Sequence, residues 1–371
     1  MGHKQPKLAE KGRAMSLDRA WNQYQDFKAD FATPADALLA KPEVSPQDEA
    51  NGKASTWVPL LLTLLAGQGA LLFGIHIGFS SPAEEAIQGA IGAIKDDTDV
   101  AFSLISVGAI FGCLSAAGFA DFLGRKLATM GACLPFLIGT LLLIFFPSLY
   151  VLGVARLVIG IGVGLVSVLV PLYIAEISPS HLRGALGSAN QFLIAFGIVI
   201  VNAVGLPILN DSNWWRGMLY LSLIPVAILF FGMMFIGVET PRWLVKKQKD
   251  EEAERVLSYI RGPEYNISAE LNDIIQTSNK GTEEETSDGV KTQGGLSEKL
   301  RYLFTKGLRP FLIGITLQLL QQWTGINAIM FYTGDLFKNK PTDPLTARAL
   351  YGAIGVNVVQ VLMCGVTILV S

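Results

Sequence analysis

The sequence predicts an all-α, polytopic membrane protein, and three observations predict it. Of 371 residues, 51% are hydrophobic and only 16% are charged, where a soluble chain keeps about a quarter of its residues charged. The remaining charge gathers in residues 1–56 and 239–308. The rest divides into eight mostly apolar runs, near the roughly 20 residues that a spanning helix needs. Strands are excluded, because the runs are long, do not alternate, and an open sheet edge cannot face lipid.

The tail, residues 1–56, is polar, carries both charge signs and contains no apolar stretch long enough for a secretory signal. A disordered segment is expected there. Six runs follow, at 57–80, 100–120, 127–146, 149–172, 185–208 and 217–238, and form one predicted bundle over 57–238. "GAIFG" (108–112) and "GIGVG" (160–164) mark the second and fourth runs, where small residues let membrane helices approach closely.

Residues 239–308 interrupt the pattern. "PRWLVKKQKDEEAERVLSYIRG" reads as one short amphipathic helix with Leu244, Val256 and Leu257 on its apolar side. "TSNKGTEEETSDGVKTQGG" reads as a flexible acidic stretch, and "LSEKLRYLFTKGLRPF" as a helix leading into the next span. Two runs, 309–334 and 348–371, then open a second bundle over 309–371. That bundle is expected to be incomplete, the chain being a fragment or a truncated product.

Lysine and arginine set the orientation. The tail holds eight of them and the stretch between 239 and 309 holds twelve, whereas the opposite loops hold few. The N-terminus and segment 239–308 are therefore expected on the cytoplasmic side, in a plasma or internal membrane.

A formal net charge of −2 gives no case for a nucleic-acid binder. Cys113, Cys133 and Cys364 all lie in apolar runs and read as small hydrophobes, with no disulfide frame or metal site. No cofactor is implied. Paired carboxylates, histidine clusters and Ser–His arrangements at one depth are missing from the runs, so no catalytic residue is assigned and a membrane enzyme is the least favoured class.

Polar groups inside the runs are mostly uncharged amides: Gln191 in the fifth, Gln318, Gln321 and Gln322 in the seventh, and Asn357 in the eighth. Offsets of three and four put Gln318, Gln321 and Gln322 on one helical face. A straight helix sets Asn327 about 180° from Gln318, and a break at Gly325 would rotate it back. Two readings stand: amides as glue between helices, or amides lining a wet cavity that binds a hydroxyl-rich neutral solute. Four on one segment beside a glycine point to the second.

Charge clusters at the predicted inner edges, in "DFLGRK" (121–126), "AEISPSHLRG" (175–184) and "ETPRWL" (239–244). Asp121, Arg125, Glu176, Arg183, Glu239 and Arg242 can form one ion-pair network there. Snorkelling and positive-inside topology explain these charges as well as a conformational latch does.

Taken together, these stretches resemble the sugar porter family of the major facilitator superfamily, over about 57–371. "DFLGRK", "RLVIGIGVG" (156–164), "PLYIAEISPSHLRG" (171–184), "ETPRWL" and "QLLQQWTGINAIMFY" each resemble a family motif, in the family's order. The resemblance implies a major facilitator fold with a complete N-terminal six-helix bundle and an incomplete C-terminal one, and a substrate between bundles exposed alternately to each side. It implies sugar contacts at Gln191, Gln318, Gln321, Gln322, Asn327 and Asn357. It assigns Asp121, Gly124, Arg125, Glu176, Arg183, Glu239 and Arg242 to an inner network that stabilises the outward-facing state. Segment 242–308 matches an intracellular helical domain, a possible site for a cytoplasmic partner.

One departure bears on mechanism. Proton-coupled members carry an acid in the first span near the fourth-span arginine, where this chain has His76 opposite Arg156. No Asp or Glu lies in 57–80, and a histidine beside a permanent positive charge argues against a simple proton carrier. The expected function is facilitated diffusion of a monosaccharide such as glucose. A proton–sugar symporter and a non-transporting sugar sensor or inactive fragment are the alternatives.

Overall fold

A computed structural model describes residues 54–208, 213–287, 308–325, 329, 336–337 and 347–370, with no strand among them. Residues 1–53 of the predicted disordered tail and 296–307 of the helix expected over 296–311 lie outside those residues, as does most of the seventh run beyond Gly325.

Seven described helical segments are long and apolar enough to cross a membrane. The first pairs α1 (Trp57–Ala66) with α2 (Gln68–Ile91). Next come α3 (Lys95–Leu123), then α4 (Arg125–Gly131) with α5 (Cys133–Phe145), and α6 (Leu149–Ile177). A 3-10 turn at Ser180–Leu182 leads to α7 (Arg183–Ile208), and α8 (Trp214–Phe235) follows. The last is α13 (Ala347–Val370). The seventh run appears as α12 (Leu308–Trp323), 16 residues long. It stops short of Gly325, whose φ of 71° is left-handed, a conformation that glycine adopts without steric cost.

The first span runs further than its hydropathy suggests. Helix α2 continues through Pro82 to Ile91, and the apolar window reaches Glu84. The expectation that no carboxylate belongs to the first span is therefore corrected. "SSPAEEAIQGAI" keeps helix-forming residues around a proline that the long helix accommodates, so polarity did not end the element.

Two helix pairs anchor the bundle: α3 against α6, and α2 against α7. Glycines stand where the backbones come closest at both seams. A Cβ at Gly108 or Gly112 would collide with the Leu157 or Ile161 carbonyl of α6, and one at Gly74 would collide with the Ile194 carbonyl of α7. Each seam joins the second helix of one three-span set to the first helix of the other. Without a hydrophobic force between helices in lipid, close van der Waals contact is what holds such pairs. The fourth span is the most enclosed, with 61% of its central window buried, against 11% for α13.

Cys133 is buried as expected, but Cys113 is exposed at the edge of the α3–α6 seam, its Sγ 3.3 Å from Ser167 Oγ. The three cysteines are free thiols.

The linker folds back on the bundle. Instead of one amphipathic helix there are two, α9 (Pro241–Lys246) and α10 (Asp250–Arg261), split where Gln248 takes φ 59°. The acidic stretch read as flexible is helical in its first half, within α11 (Ser268–Ser287). Leu271, Ile274 and Ile275, at helical spacing, pack on Leu244, Val245 and Ala253, and that apolar contact supports the helix into the charged run. Arg261 joins linker to bundle. Its guanidinium donates to the Ile177 and Ser178 carbonyls at 2.7 and 3.4 Å, satisfying the open end of α6, and pairs with Glu270 at 2.6 Å.

Candidate functional site

The charge network on the linker side begins with a glycine. Gly124 separates α3 from α4 at φ 91°, and a Cβ there would strike the Glu239 carboxylate. Its absence lets Glu239 reach the first amides of α4, accepting from Arg125 N at 2.8 Å and Lys126 N at 3.2 Å, where a helix start favours negative charge. Arg125, with its side chain 10% exposed, donates to Glu176 from Nε and Nη2 at 3.0 Å each. Its Nη1 reaches the Ala120 carbonyl at 3.1 Å and Asp121 at 3.2 Å. Asp121, Gly124, Arg125, Glu176 and Glu239 therefore meet in one cluster.

Arg183 and Arg242 do not join it. Both are exposed and make no ion pair with a described residue. The reason is local: α9 turns Pro241, Leu244 and Val245 inward, which sends Arg242 outward, and Arg183 opens α7 beside the exposed Gly184, while Leu182 before it packs on the core.

Residues that motif reading did not assign complete the cluster. Thr240 Oγ1 donates to Glu176 at 2.5 Å, Lys246 pairs with Asp121 at 3.1 Å, and Trp243 Nε1 donates to the Asp121 carbonyl. Tyr173 donates its hydroxyl to the Val238 carbonyl at 2.9 Å. Burial pushes the Glu239 carboxyl above its usual value, against the pull of the Thr240, Arg125 and Lys126 amides and the Arg125 charge.

Deeper in the bundle, His76 and Arg156 are brought together, through the backbone. Arg156 Nη1 donates to the His76 carbonyl at 3.2 Å, which also accepts from Ser80 Oγ. The guanidinium lies over Phe102 at 4.2 Å and Phe79 at 4.9 Å, and the imidazole stacks on Phe136. Both side chains are fully buried, and both imidazole nitrogens and Arg156 Nε and Nη2 have no hydrogen-bond partner among the described residues. Glu84, two helical turns along α2 from His76, acts electrostatically on Arg156. It lines a pocket of about 150 Å³ with Ser80, Asp99, Phe102, Ser103 and Ser106. The apolar run read at 57–80 stops short of Glu84; helix continuity through Pro82 brings it into the first span.

The amides are not gathered into one closed site among the described residues. Gln318, Gln321 and Gln322 are exposed on α12, which barely touches other described helices. Gln191 is exposed on α7. Asn357 is buried on α13, its Nδ2 donating to the Ala353 carbonyl of its own helix at 2.7 Å. Asn327 lies outside the described residues.

Three comparisons bear on this arrangement. The family model described as "Sugar (and other) transporter" matches residues 62–371. The chain is 34% identical to Sugar transporter ERD6-like 6 of Arabidopsis thaliana, over 83% of this chain and 59% of that one. It is 33% identical to Plastidic glucose transporter 4 of the same plant, over 92% and 62%. It is 35% identical to Putative metabolite transport protein YwtG of Bacillus subtilis (strain 168), over 81% and 62%. The chain thus spans about three fifths of the length of these relatives. Among solved structures it is similar to the proton:xylose symporter XylE bound to 6-bromo-6-deoxy-D-glucose, at a TM-score of 0.72 and 26% identity, covering 85% of this chain and 69% of that one. Against the partially occluded inward open conformation of XylE from E. coli the TM-score is 0.64 at 25% identity, covering 83% and 69%.

Proposed function

The chain belongs to the sugar transporter family and has the major facilitator fold, and from that premise we propose that it carries a monosaccharide, a hexose such as glucose, across a membrane by alternating access and facilitated diffusion. The observation that carries this reading is the exposed amide row of Gln318, Gln321 and Gln322 on an otherwise apolar helix. Amide side chains facing hydrocarbon are costly to leave without hydrogen bonds, so in this reading that face lines water, where hydroxyl groups compete on equal terms. A family relative bound to a glucose derivative supports a sugar as the guest.

In this reading Gln191, Gln318, Gln321, Gln322, Asn327 and Asn357 contact the sugar. The bundle over 57–238 moves against the one that begins at 309. The N-terminus and the linker 239–308 are cytoplasmic, and 242–308 is available to a cytoplasmic partner. Asp121, Gly124, Arg125, Glu176 and Glu239 close the cytoplasmic side. The test is hexose uptake in reconstituted vesicles, with Gln318→Ala and Gln322→Ala weakening uptake at unchanged expression. Unaltered kinetics in both would overturn the site.

A second reading, proton–sugar symport, is favoured by one observation: Glu84 acts on Arg156 from the same helix as His76. Sugar-dependent alkalinisation of the medium would establish it in place of uniport.

A further inference from the structure

We propose that the pocket between α2 and α3 is a second sugar site, apart from the amide row, which holds one neutral polyol by its hydroxyl donors; the transport reading above supplies the guest, and the pocket supplies the place. Ser80 and Glu84 stand one turn apart on α2. Asp99, Phe102, Ser103 and Ser106 share one face of α3, at offsets of three, four and seven. Together they enclose about 150 Å³, room for one small ring or a few waters. The pocket lies toward the α2–α3 turn, at the end of the bundle away from the linker. The described amides stand on α7, α12 and α13, so the pocket shares no residue with them.

The lining is rich in acceptors and carries no basic side chain. Ser80 spends its hydrogen on the His76 carbonyl at 3.2 Å, and Ser103 spends its own on the Asp99 carbonyl at 2.7 Å. Both oxygens are left as acceptors beside two carboxylates. A guest must therefore bring positive charge or several donors, and Arg156 decides which. Its guanidinium is fully buried, stacks on Phe102 at 4.2 Å, and keeps Nε and Nη2 without a hydrogen-bond partner among the described residues. That charge opposes a cation at the Phe102 wall and leaves a neutral guest unopposed. A polyol also suits the mixed lining. Its hydroxyls donate to Glu84 and Asp99 in charge-assisted bonds, the Ser106 hydroxyl can turn to donate or accept, and the C–H face of the ring meets Phe102. Ser103 and Ser106 are exposed, with Glu84 and Asp99 half-buried, so the pocket admits a guest as it stands.

The experiment is maleimide modification of Ser103→Cys in the purified full chain, followed at that residue by peptide mass spectrometry. Saturating D-glucose is expected to slow the reaction about fivefold, because a filled pocket shields its lining. Adding Asp99→Asn raises the glucose needed for half protection about tenfold, through loss of the charge in one hydrogen bond. Adding Gln318→Ala leaves that concentration unchanged, because α12 lends the pocket nothing. Sodium chloride in place of choline chloride gives no protection. A rate indifferent to glucose overturns the inference, and so does protection indifferent to Asp99→Asn. Protection that weakens with Gln318→Ala marks a relay from the amide row, and protection by sodium chloride marks a cation site; either overturns it too. If Ser103→Cys is not monodisperse, Ser106→Cys is read by the same criteria. Calorimetric titration of the wild type separates the two readings. A chain that binds no glucose removes transport and this inference together, and one that binds glucose while Ser103→Cys goes unprotected removes only this one.

Discussion

Arg125 and Glu176 stand on different spans, α4 and α6, and meet through two guanidinium nitrogens at 3.0 Å with both side chains about nine-tenths shielded. Removing one partner of such a pair costs roughly 3–5 kcal/mol, because the other charge stays buried and uncompensated. Arg125→Ala is therefore expected to favour the state open on the linker side. Labelling of Gln191→Cys from that side should rise by about tenfold or more. Arg125→Lys should rescue only in part, since a point charge cannot reproduce the fork. Equal labelling in wild type and Arg125→Ala would sink the latch.

At the amide row, each substitution removes one hydrogen-bonding group worth about 0.5–1.5 kcal/mol. Gln318→Ala and Gln322→Ala should each lower hexose affinity by about threefold to tenfold without loss of folded protein. Competition binding on purified protein checks this, and an undiminished affinity in both variants contradicts it.

The helix seams make a folding prediction. Gly112→Val places a side chain against the Ile161 carbonyl, whereas a Cβ at Gly118 meets nothing within 4 Å. Gly112→Val should abolish the monodisperse peak in detergent and Gly118→Val should leave it intact. Equal yields from the two would show that the α3–α6 approach is not limiting.

The sign of one pH effect follows from Glu239. Its folded pKa is raised above the ordinary 4.5 by burial, so the folded state holds the proton more tightly than the unfolded chain. The stability this contributes is fully present below 4.5 and is lost as pH rises through the raised value. Wild type should therefore lose melting temperature relative to Glu239→Gln as pH climbs from about 4.5 toward neutrality. A difference between the two that stays constant over that window would refute the assignment.

Coupling is decided at Glu84. Uniport predicts no pH change in the medium on sugar addition. An alkalinisation in wild type that disappears in Glu84→Gln, with sugar binding retained, would replace uniport by symport.

The spans were legible in the sequence because hydrocarbon imposes one rule, that every backbone group bonds within its own helix, and a 20-residue apolar run is the visible result. The glycine seams were legible for a related reason: "GAIFG" and "GIGVG" remove side chains where two backbones must touch. The motif residues Asp121, Gly124, Arg125, Glu176 and Glu239 also announced themselves, being charges and a glycine crowded at helix ends. What only the tertiary structure decided is which of these meet. Arg183 and Arg242 have the same composition and spacing as their neighbours, yet the turn of α9 and the start of α7 carry them outward. Thr240 and Lys246 look ordinary and turn out to bond Glu176 and Asp121. Glu84 belongs to the first span only because α2 runs on through Pro82. A run of letters records polarity and period along one chain, whereas an ion pair depends on the angle at which two helices leave their turns, and that angle is set by packing between segments far apart in sequence.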